Sequence, residues 1–391
     1  MSLVPFSAYQ QSLPPDYQRN EKRLVDDMEA FMRGRVYDEG GRALRGAHAE
    51  SFGLVAGELE VLDGLPKQYA QGLFSHPRTY DAVVRYSNGV AHIRADRYLG
   101  PILGMGVKLF GVPGRSLLNG EDSGTLDIPM VNSPVFFSNT AHDYVTTQRL
   151  LEELPDSLAT TASRNKVLEQ LLTSGGTAEP DDWRWDELLA FVSLLRIERQ
   201  HLFLYRYYNI GAVRFGRYIA RLRMAPTTDT VSSVVHRGVD TDAEDEPFRR
   251  TLVAETAERA HTFTLEAQLC TSLSTTPVDN SSVAWPEELS PFRAVALLRI
   301  PAQDISDERN IEAADATAIN PWRTRPEHAP LGELNRLRRE VYRRSAELRR
   351  RINKQPRHEP SSPADALTRG LHAPERPHGA EPGGREAGQE T

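Results

Sequence analysis

The chain has 391 residues, a formal net charge of −7 at pH 7, and 39% hydrophobic and 26% charged residues. This composition is typical of one large soluble domain or two ordinary ones, and the acidic balance disfavours a dedicated nucleic-acid-binding protein. A single cysteine, Cys270, excludes a disulfide framework and a cysteine-based zinc site. Because neither a signal peptide nor a membrane-spanning run is recognisable, we expect a cytoplasmic protein without a membrane span.

The first predicted element is an N-terminal arm followed by one amphipathic helix, together covering residues 1–41. Leu24, Met28 and Met32 recur on one face of this helix, as the helical period requires. Asn20 is the predicted N-cap, and a pair of glycines is predicted to end the helix.

From residue 42 to about 137 the hydrophobic period changes to two, which is the period of a β-strand. Helical patterns occupy 142–200, and strand patterns return in GRYIARLRMAP, HTFTLEAQLCTSL and RAVALLRIPAQ. A short helix, FRRTLVAETAERA, lies between the first two of these strands. Because helices and strands do not alternate regularly, we predict an α+β fold with an antiparallel β-barrel or strongly curled sheet and surrounding helices.

The predicted domain organisation has three parts. Residues 1–41 form the arm and helix, residues 42–353 form the barrel domain with a helical insertion around 142–200, and residues 354–391 form a tail. Between Pro356 and Thr391, eleven of 36 residues are Pro or Gly. Since such a segment buries little apolar surface, we predict that the tail is disordered.

Three stretches carry polar residues of catalytic type. LRGAHAESFG contains His48, VVRYSNG contains Arg85 and Ser87, and MVNSPVFF contains Asn132 next to an apolar pair that ends in Phe137. Together they are suited to a small polar substrate, with His48 as the base and Asn132 as a hydrogen-bond donor. A structural or solvated histidine is the alternative for His48 alone. The glycine-rich GPILGMG leads into a strand rather than a helix, so it is not a phosphate-binding loop.

The last predicted helix contains RLRREVYRRSAELRRR, with eight arginines around Tyr342. At 100° per residue, Arg338 and Arg349 lie within about 40° of Tyr342, and the other six arginines spread over the far side. Three interpretations stay open here: a functional tyrosine, a tyrosine at the core boundary with stacked arginines, and a nucleic-acid-binding helix. An apolar stripe adjoins the tyrosine and comprises Leu334, Leu337, Val341, Leu348 and Ile352.

In combination, Arg-x-x-x-Tyr near the C-terminal end and His…Arg-x-Ser…Asn-x-Pro-x-Phe-Phe upstream resemble the haem catalases. The sequence is most similar to the short catalase-related branch, which contains little more than the haem-binding barrel. The resemblance runs from about residue 42 to residue 353 and is weakest over 155–200. It implies a β-barrel of the catalase haem-binding type.

The resemblance implies a role for each candidate residue on the distal side of the haem. His48 matches the distal histidine that moves a proton between the two peroxide oxygens. Ser87 matches the serine that orients this histidine, and Asn132 matches the asparagine that holds the peroxide. Phe137 matches the phenylalanine that lines the haem face.

On the proximal side, Tyr342 matches the axial ligand whose phenolate binds the iron. Arg338 matches the arginine that pairs with this phenolate. Arg45, Arg85 and Arg349 match the arginines that hold the haem propionates, for which a planar guanidinium is well suited.

The implied function is a haem-dependent peroxidase or catalase-like enzyme, with haem b and iron, that reduces hydrogen peroxide or organic hydroperoxides through an oxoferryl intermediate. The implied partners are the peroxide and an unidentified reductant, with no nucleic acid, and a homo-oligomer is left open. Two alternatives are a rearrangement of fatty-acid hydroperoxides of the allene oxide synthase kind and a non-enzymatic haem binder. Ala47 stands where the allene oxide synthase branch has Thr, which disfavours the first alternative. Glu50 and Ser51, after the histidine, also depart from the Lys-Gly of large catalases.

Overall fold

The computed structural model of the chain describes residues 2–36, 40–91, 93, 95–98, 100, 102–118, 124–145, 160–242 and 244–368. Its central element is one nine-stranded antiparallel sheet. The strands follow the order β5-β4-β3-β2-β1-β9-β8-β7-β6, and β5 also pairs with β7. This pairing closes eight of the strands into a barrel, so the predicted antiparallel barrel is confirmed. The strands are β1 (Ser51–Val61), β2 (Thr79–Asn88), β3 (Leu103–Leu109), β4 (Leu126–Val131), β5 (Tyr207–Asn209), β6 (Val213–Phe215), β7 (Tyr218–Pro226), β8 (His261–Leu269) and β9 (Arg293–Ile300).

The barrel interior is a packed hydrophobic core rather than a channel. Along β2, Val84 and Tyr86 belong to this core, and the intervening Arg85 and the following Ser87 point to the outer face. This alternation is the period-two geometry of a strand. It therefore places the polar residues of the VVRYSNG stretch outside the barrel, under the surrounding helices.

The helices lie on the outside of the barrel, as predicted. Two complete helices and the helical residues 141–145 fall in the described part of the predicted insertion, and the predicted helix segments within 146–159 lie outside the described residues. No helix of the described residues combines the length and apolar character needed to cross a membrane. The helices are α1 (Tyr17–Gly34), α2 (Thr161–Leu172), α3 (Trp185–Leu194), α4 (Thr228–Val234), α5 (Pro247–Glu258), α6 (Arg309–Ala316), α7 (Glu333–Ile352) and α8 (Pro363–Thr368).

The apolar stripe of α7 packs against α1. Leu334 and Leu337 contact Tyr17 and Leu24, and Leu348 belongs to a second cluster with the α1 methionines. The amphipathic pattern of both helices therefore predicted a contact that the structure contains. The predicted start of α1 was wrong by about one turn, because the helix begins after Asp16 and Asn20 instead donates to the Asp16 carboxylate at 2.7 Å.

Strand β4 was not predicted from the sequence. Its six residues LDIPMV include Pro129, which has no N–H to donate to a ladder and normally argues against a strand. Pro129 nevertheless lies opposite Gly106 of β3 in a regular antiparallel register. The short strands β5 and β6, of three residues each, carry too little pattern to be recognised.

The prediction of a disordered tail is wrong for its first part, residues 354–368. Glu359 forms ion pairs with Lys108 and, at 2.9 Å, with Arg323, and α8 packs on the outer face of the barrel. The side chains of Lys108 and Asp127 are fully buried and pair at 2.7 Å. The composition of the tail did not reveal its attachment to the barrel, because the ion pairs depend on a single glutamate. Residues 369–391 lie outside the described part.

Replacing Glu359 with Ala is expected to destabilise the fold, because it leaves part of the buried Lys108 charge without a partner. Removing one member of a buried ion pair costs on the order of 3 kcal/mol of the free energy of unfolding. The exposed neighbour His358, which contacts Asp365, is the matched control, and its replacement with Ala should cost less than about 1 kcal/mol. Equal denaturation midpoints for the two variants would contradict the importance of Glu359.

Candidate functional site

A cavity of about 1270 Å³ lies between the outer face of the barrel and helices α1 and α7. It exceeds the roughly 300–1,000 Å³ that is usual for small-molecule pockets, so it has room for a large organic ligand. Eight of the nine candidate residues line it, namely Arg45, His48, Arg85, Ser87, Phe137, Arg338, Tyr342 and Arg349. Residues that are almost 300 positions apart in the sequence are thus brought together.

His48 precedes β1 and has a left-handed backbone with a φ of +55°. This conformation costs a non-glycine residue roughly 1–3 kcal/mol, so neighbouring contacts must hold it. Its Nδ1 lies 2.5 Å from the carbonyl oxygen of Asn88 and 3.2 Å from the Ser87 hydroxyl. Because a carbonyl only accepts, Nδ1 carries the proton in this contact, which leaves Nε2 as the basic nitrogen of the neutral ring.

The surroundings of His48 favour its neutral form. Burial lowers the pKa of His48 from its ordinary value of 6.5 to about 4, and the positive charge of Arg85 adds to this effect. The hydrogen bond to the Asn88 carbonyl opposes the shift. His48 is therefore a partly buried, neutral imidazole that can accept a proton at neutral pH.

Gly104 of β3 is a site residue that the sequence analysis missed. A Cβ at this position would lie 2.6 Å from Nδ1 of His48 and 2.7 Å from the Ser87 hydroxyl. Only glycine therefore leaves room for the imidazole above the strand. The signal available in the sequence was the glycine that directly precedes the strand pattern MGVKLF. A glycine within a strand often marks a place where another group closely approaches the backbone.

Asn132 follows β4 and is buried beside the cavity, but it is not among the described residues that line the cavity. Its Oδ1 accepts a hydrogen bond from the Leu103 backbone N–H at 2.8 Å, and its own N–H donates to the Leu103 carbonyl at 3.1 Å. Asn132 therefore ties the end of β4 to β3. Its role as a donor to a substrate stays a prediction.

Phe137 contributes an apolar wall to the cavity. Its ring stacks on Phe136 with centroids 4.2 Å apart and meets Phe191 of α3 edge to face at 6.2 Å. Tyr144 stacks on the same pair at an interplanar angle of 15°. These contacts fix a flat aromatic surface, which suits a planar apolar ligand.

Tyr342 and Arg338 lie one turn apart on α7 and form a pair. A guanidinium nitrogen of Arg338 donates to the Tyr342 hydroxyl oxygen at 3.0 Å, and the Arg338 Cζ lies 5.2 Å from the ring centroid. A second nitrogen of Arg338 donates to the Asn335 side chain at 2.9 Å, which fixes its orientation. A fixed cation at the phenol oxygen stabilises a phenolate.

The other six arginines of the helix fall largely where the helical projection put them. Arg336, Arg339, Arg343 and Arg351 are exposed, and Arg344 pairs with Glu29 of α1 at 2.6 Å. These five therefore face solvent or an acidic group, as predicted. Arg336, Arg339 and Arg343 also border the cavity, as does the half-buried Arg350, which the helical projection did not predict.

Arg45 and Arg85 converge at the C-terminal end of α6. Arg45 donates to the carbonyl oxygens of Asp315 and Thr317, both at 2.8 Å. Arg85 donates to the Ala314 carbonyl at 2.9 Å and to the His48 carbonyl at 3.0 Å. Both guanidinium groups are thus held by backbone acceptors while they line the cavity.

Arg349 adds a third guanidinium at this end of the cavity. Burial and the charge of Arg45 lower its pKa, and Asp315 opposes this shift. Within the described residues, no side-chain hydrogen bond or ion pair satisfies Arg349. Three cations therefore share Asp315 as their acidic neighbour, an arrangement that attracts an anionic ligand.

The residues of the cavity fit a haem group. The aromatic wall suits its planar face, the three guanidinium groups suit its two carboxylates, and the Tyr342 oxygen suits ferric iron. No cluster of three or more His, Cys, Asp or Glu side chains suited to a metal ion occurs in the described residues. Tyr342 of α7 is therefore the candidate metal ligand of this cavity.

Replacing Gly104 with Ala is expected to push the His48 ring out of its buried contact, at a cost of about 1–3 kcal/mol of stability. The pKa of His48 should then rise from about 4 towards its ordinary value of 6.5, which NMR titration of the ring proton would measure. Gly100 is the control, because a Cβ there would meet only Val90, at an ordinary 3.6 Å. An unchanged His48 titration in the Gly104→Ala variant would contradict the steric assignment.

No family model matches the sequence, and no curated protein sequence matches it. Solved structures do match. A fungal catalase aligns with a TM-score of 0.60 at 16% identity, covering 93% of this chain and 68% of that chain. Catalase A from Saccharomyces cerevisiae gives a TM-score of 0.59 at 15% identity over 93% and 70%, and a bacterial catalase gives 0.55 at 12% identity over 90% and 63%. The predicted barrel type is confirmed, and the chain adopts the catalase fold.

Proposed function

We propose that the protein is a haem-dependent oxidoreductase of the catalase or peroxidase type that acts on hydrogen peroxide or organic hydroperoxides. One observation carries the proposal: a single cavity joins the Arg338–Tyr342 pair, the neutral His48 and three guanidinium groups. Each feature alone has a structural explanation. Their convergence in one large cavity of a catalase fold supports a haem site.

In this proposal, residues from three parts of the chain hold the cofactor. Tyr342 would supply an oxygen ligand to the iron, and Arg338 would donate a hydrogen bond to that oxygen. Arg45, Arg85 and Arg349 would bind the propionates, and Phe137 would pack against the haem. Bound haem iron would supply the oxidising chemistry that no amino-acid side chain provides.

The chain's own contribution to the chemistry is proton transfer at His48. Nε2 accepts a proton from the peroxide oxygen and returns it to the leaving oxygen, while Nδ1 stays bonded to the Asn88 carbonyl. Ser87 restrains the ring through its contact with Nδ1. The lowered pKa keeps the base available over the whole neutral range.

A second candidate function is rearrangement of a fatty-acid hydroperoxide in the same cavity. The volume of about 1270 Å³ and the apolar side chains of Phe191, Leu194 and Leu195 along its wall favour a substrate larger than hydrogen peroxide. Ala47, which also lines the cavity, has no hydroxyl, and this disfavours the rearrangement. Product analysis with hydrogen peroxide and with a fatty-acid hydroperoxide separates oxygen release, reduction to an alcohol and rearrangement.

Replacing Tyr342 with Phe is expected to abolish haem binding or to weaken it severely, because the anionic ligand atom is removed. The measurement is haem stoichiometry and the Soret band of purified protein. Tyr144, another tyrosine that lines the cavity, is the matched control, and its replacement with Phe should preserve the haem content. Full haem content with an unchanged spectrum in the Tyr342→Phe variant would refute the axial assignment.

Replacing His48 with Gln is expected to leave haem bound and to slow the reaction with peroxide by roughly 10²–10⁴-fold, because the general base is lost. In the unmodified protein the rate should hold as the pH falls from 7 to 5 and should decline only near pH 4, where His48 becomes protonated. The exposed His76 is the control, and its replacement with Gln should leave the rate unchanged. A rate that declines through pH 6.5 would contradict a buried neutral base.

A further inference from the structure

We propose that Asp315 is a built-in counter-ion that offsets part of the positive charge of Arg45, Arg85 and Arg349 in the free protein and thereby tunes how strongly they bind a ligand with two carboxylates. The identity of this ligand rests on the proposed function. The role of Asp315 itself rests on the charges and contacts around the C-terminal end of α6.

Helix α6 presents its last carbonyl oxygens to the arginines. Ala314, Asp315 and Thr317 each accept a guanidinium hydrogen bond, at 2.8 to 2.9 Å. The negative end of the helix dipole lies at this terminus, so it favours the two cations electrostatically. The backbone therefore fixes where Arg45 and Arg85 lie, whatever side chain residue 315 carries.

The Asp315 carboxylate adds a full negative charge behind these cations. Its Oδ1 lies 3.9 Å from a guanidinium nitrogen of Arg45 and 3.9 Å from one of Arg85. The Ser51 hydroxyl donates to Oδ1 at 2.7 Å and accepts from Arg85 at 2.6 Å, so it links the two groups. Neither Ser51 nor Asp315 is among the described residues that line the cavity. Asp315 therefore acts through the arginines.

Charge balance gives the ligand its expected charge. Among these four groups, three guanidinium groups and one carboxylate leave an excess of two positive charges, and the nearby Arg350 adds to it. Excess charge in a poorly solvated region requires compensation. A ligand with two carboxylates provides it. Without Asp315 the excess would be three, and the empty site would carry three uncompensated cations. The Asp315 carboxylate thus offsets part of the positive charge in the free protein. It also repels the carboxylates of the ligand.

Two substitutions separate charge from geometry. Asp315→Asn removes the charge but keeps the side-chain oxygen that accepts from Ser51 and all the backbone acceptors of α6. Ser51→Ala removes the bridging hydroxyl but keeps all four charges. A merely structural role for Asp315 would make the two variants behave alike.

The ligand test uses metal-free porphyrin, so that it does not depend on iron or on the Tyr342 oxygen. The dissociation constants of a porphyrin dicarboxylic acid and of its dimethyl ester are measured by fluorescence for full-length apo-protein and both variants. We expect the preference for the diacid over the diester to rise about tenfold in Asp315→Asn, because one buried repulsive charge is lost. Ser51→Ala should leave this preference unchanged. An unchanged or lower preference in Asp315→Asn overturns the proposal.

Thermal unfolding of the same apo-proteins tests the counter-ion without any ligand. Asp315→Asn should lower the melting temperature by several degrees more than Ser51→Ala, because three cations, of which Arg85 is buried and the others are partly buried, lose their shared acidic neighbour. Equal melting temperatures for the two variants overturn the counter-ion role. Haem stoichiometry of the unmodified protein tests the proposed haem function separately, and the unfolding comparison decides the role of Asp315 whether or not the porphyrins bind.

Discussion

The burial of several guanidinium groups between a β-barrel and a helix is the constraint on which the rest of the site depends. Arginine keeps its charge at any accessible pH, so the fold must supply acceptors for it. The backbone of α6, the hydroxyl of Ser51 and the carboxylate of Asp315 do so for Arg45 and Arg85. The same cations stabilise the neutral form of His48. The charges of these arginines and the protonation of His48 are therefore linked.

The barrel makes this arrangement possible because its inner face forms the core and its outer face carries the site residues. The inward face is filled by apolar side chains and provides rigidity, while the outward positions of β2 and β3 carry Arg85, Ser87 and Gly104. Side chains on regular strands are held more precisely than side chains on loops. The strained backbone of His48 is restrained by contacts with β2 through Arg85 and Asn88.

The sequence predicted those features that depend on periodicity or on specific motifs. The stripe of α7 located its packing surface and put Arg338 beside Tyr342, because both follow from the helical repeat. The role of Asp315 could not be predicted, and the strand glycine at position 104 indicated a close approach but not its partner, since each role depends on a contact between segments far apart in the chain. Pro129 concealed β4 because its register on β3 is visible only in the folded sheet. The ion pairs of Glu359 were missed because composition describes the average character of a segment. It does not indicate which residue a particular side chain contacts.

The ion pairs of Glu359 have a consequence for the order of events during synthesis. Lys108 on β3 is fully buried, and its charge is balanced by Asp127 on the neighbouring strand together with Glu359, which is made some 250 residues later. Arg323, which also follows the last strand, joins Asp127 to Glu359. A ribosome-bound chain that has completed all nine strands therefore still lacks charges that its β3–β4 region requires. The charge balance of this part of the barrel is therefore complete only after residue 359 has been made.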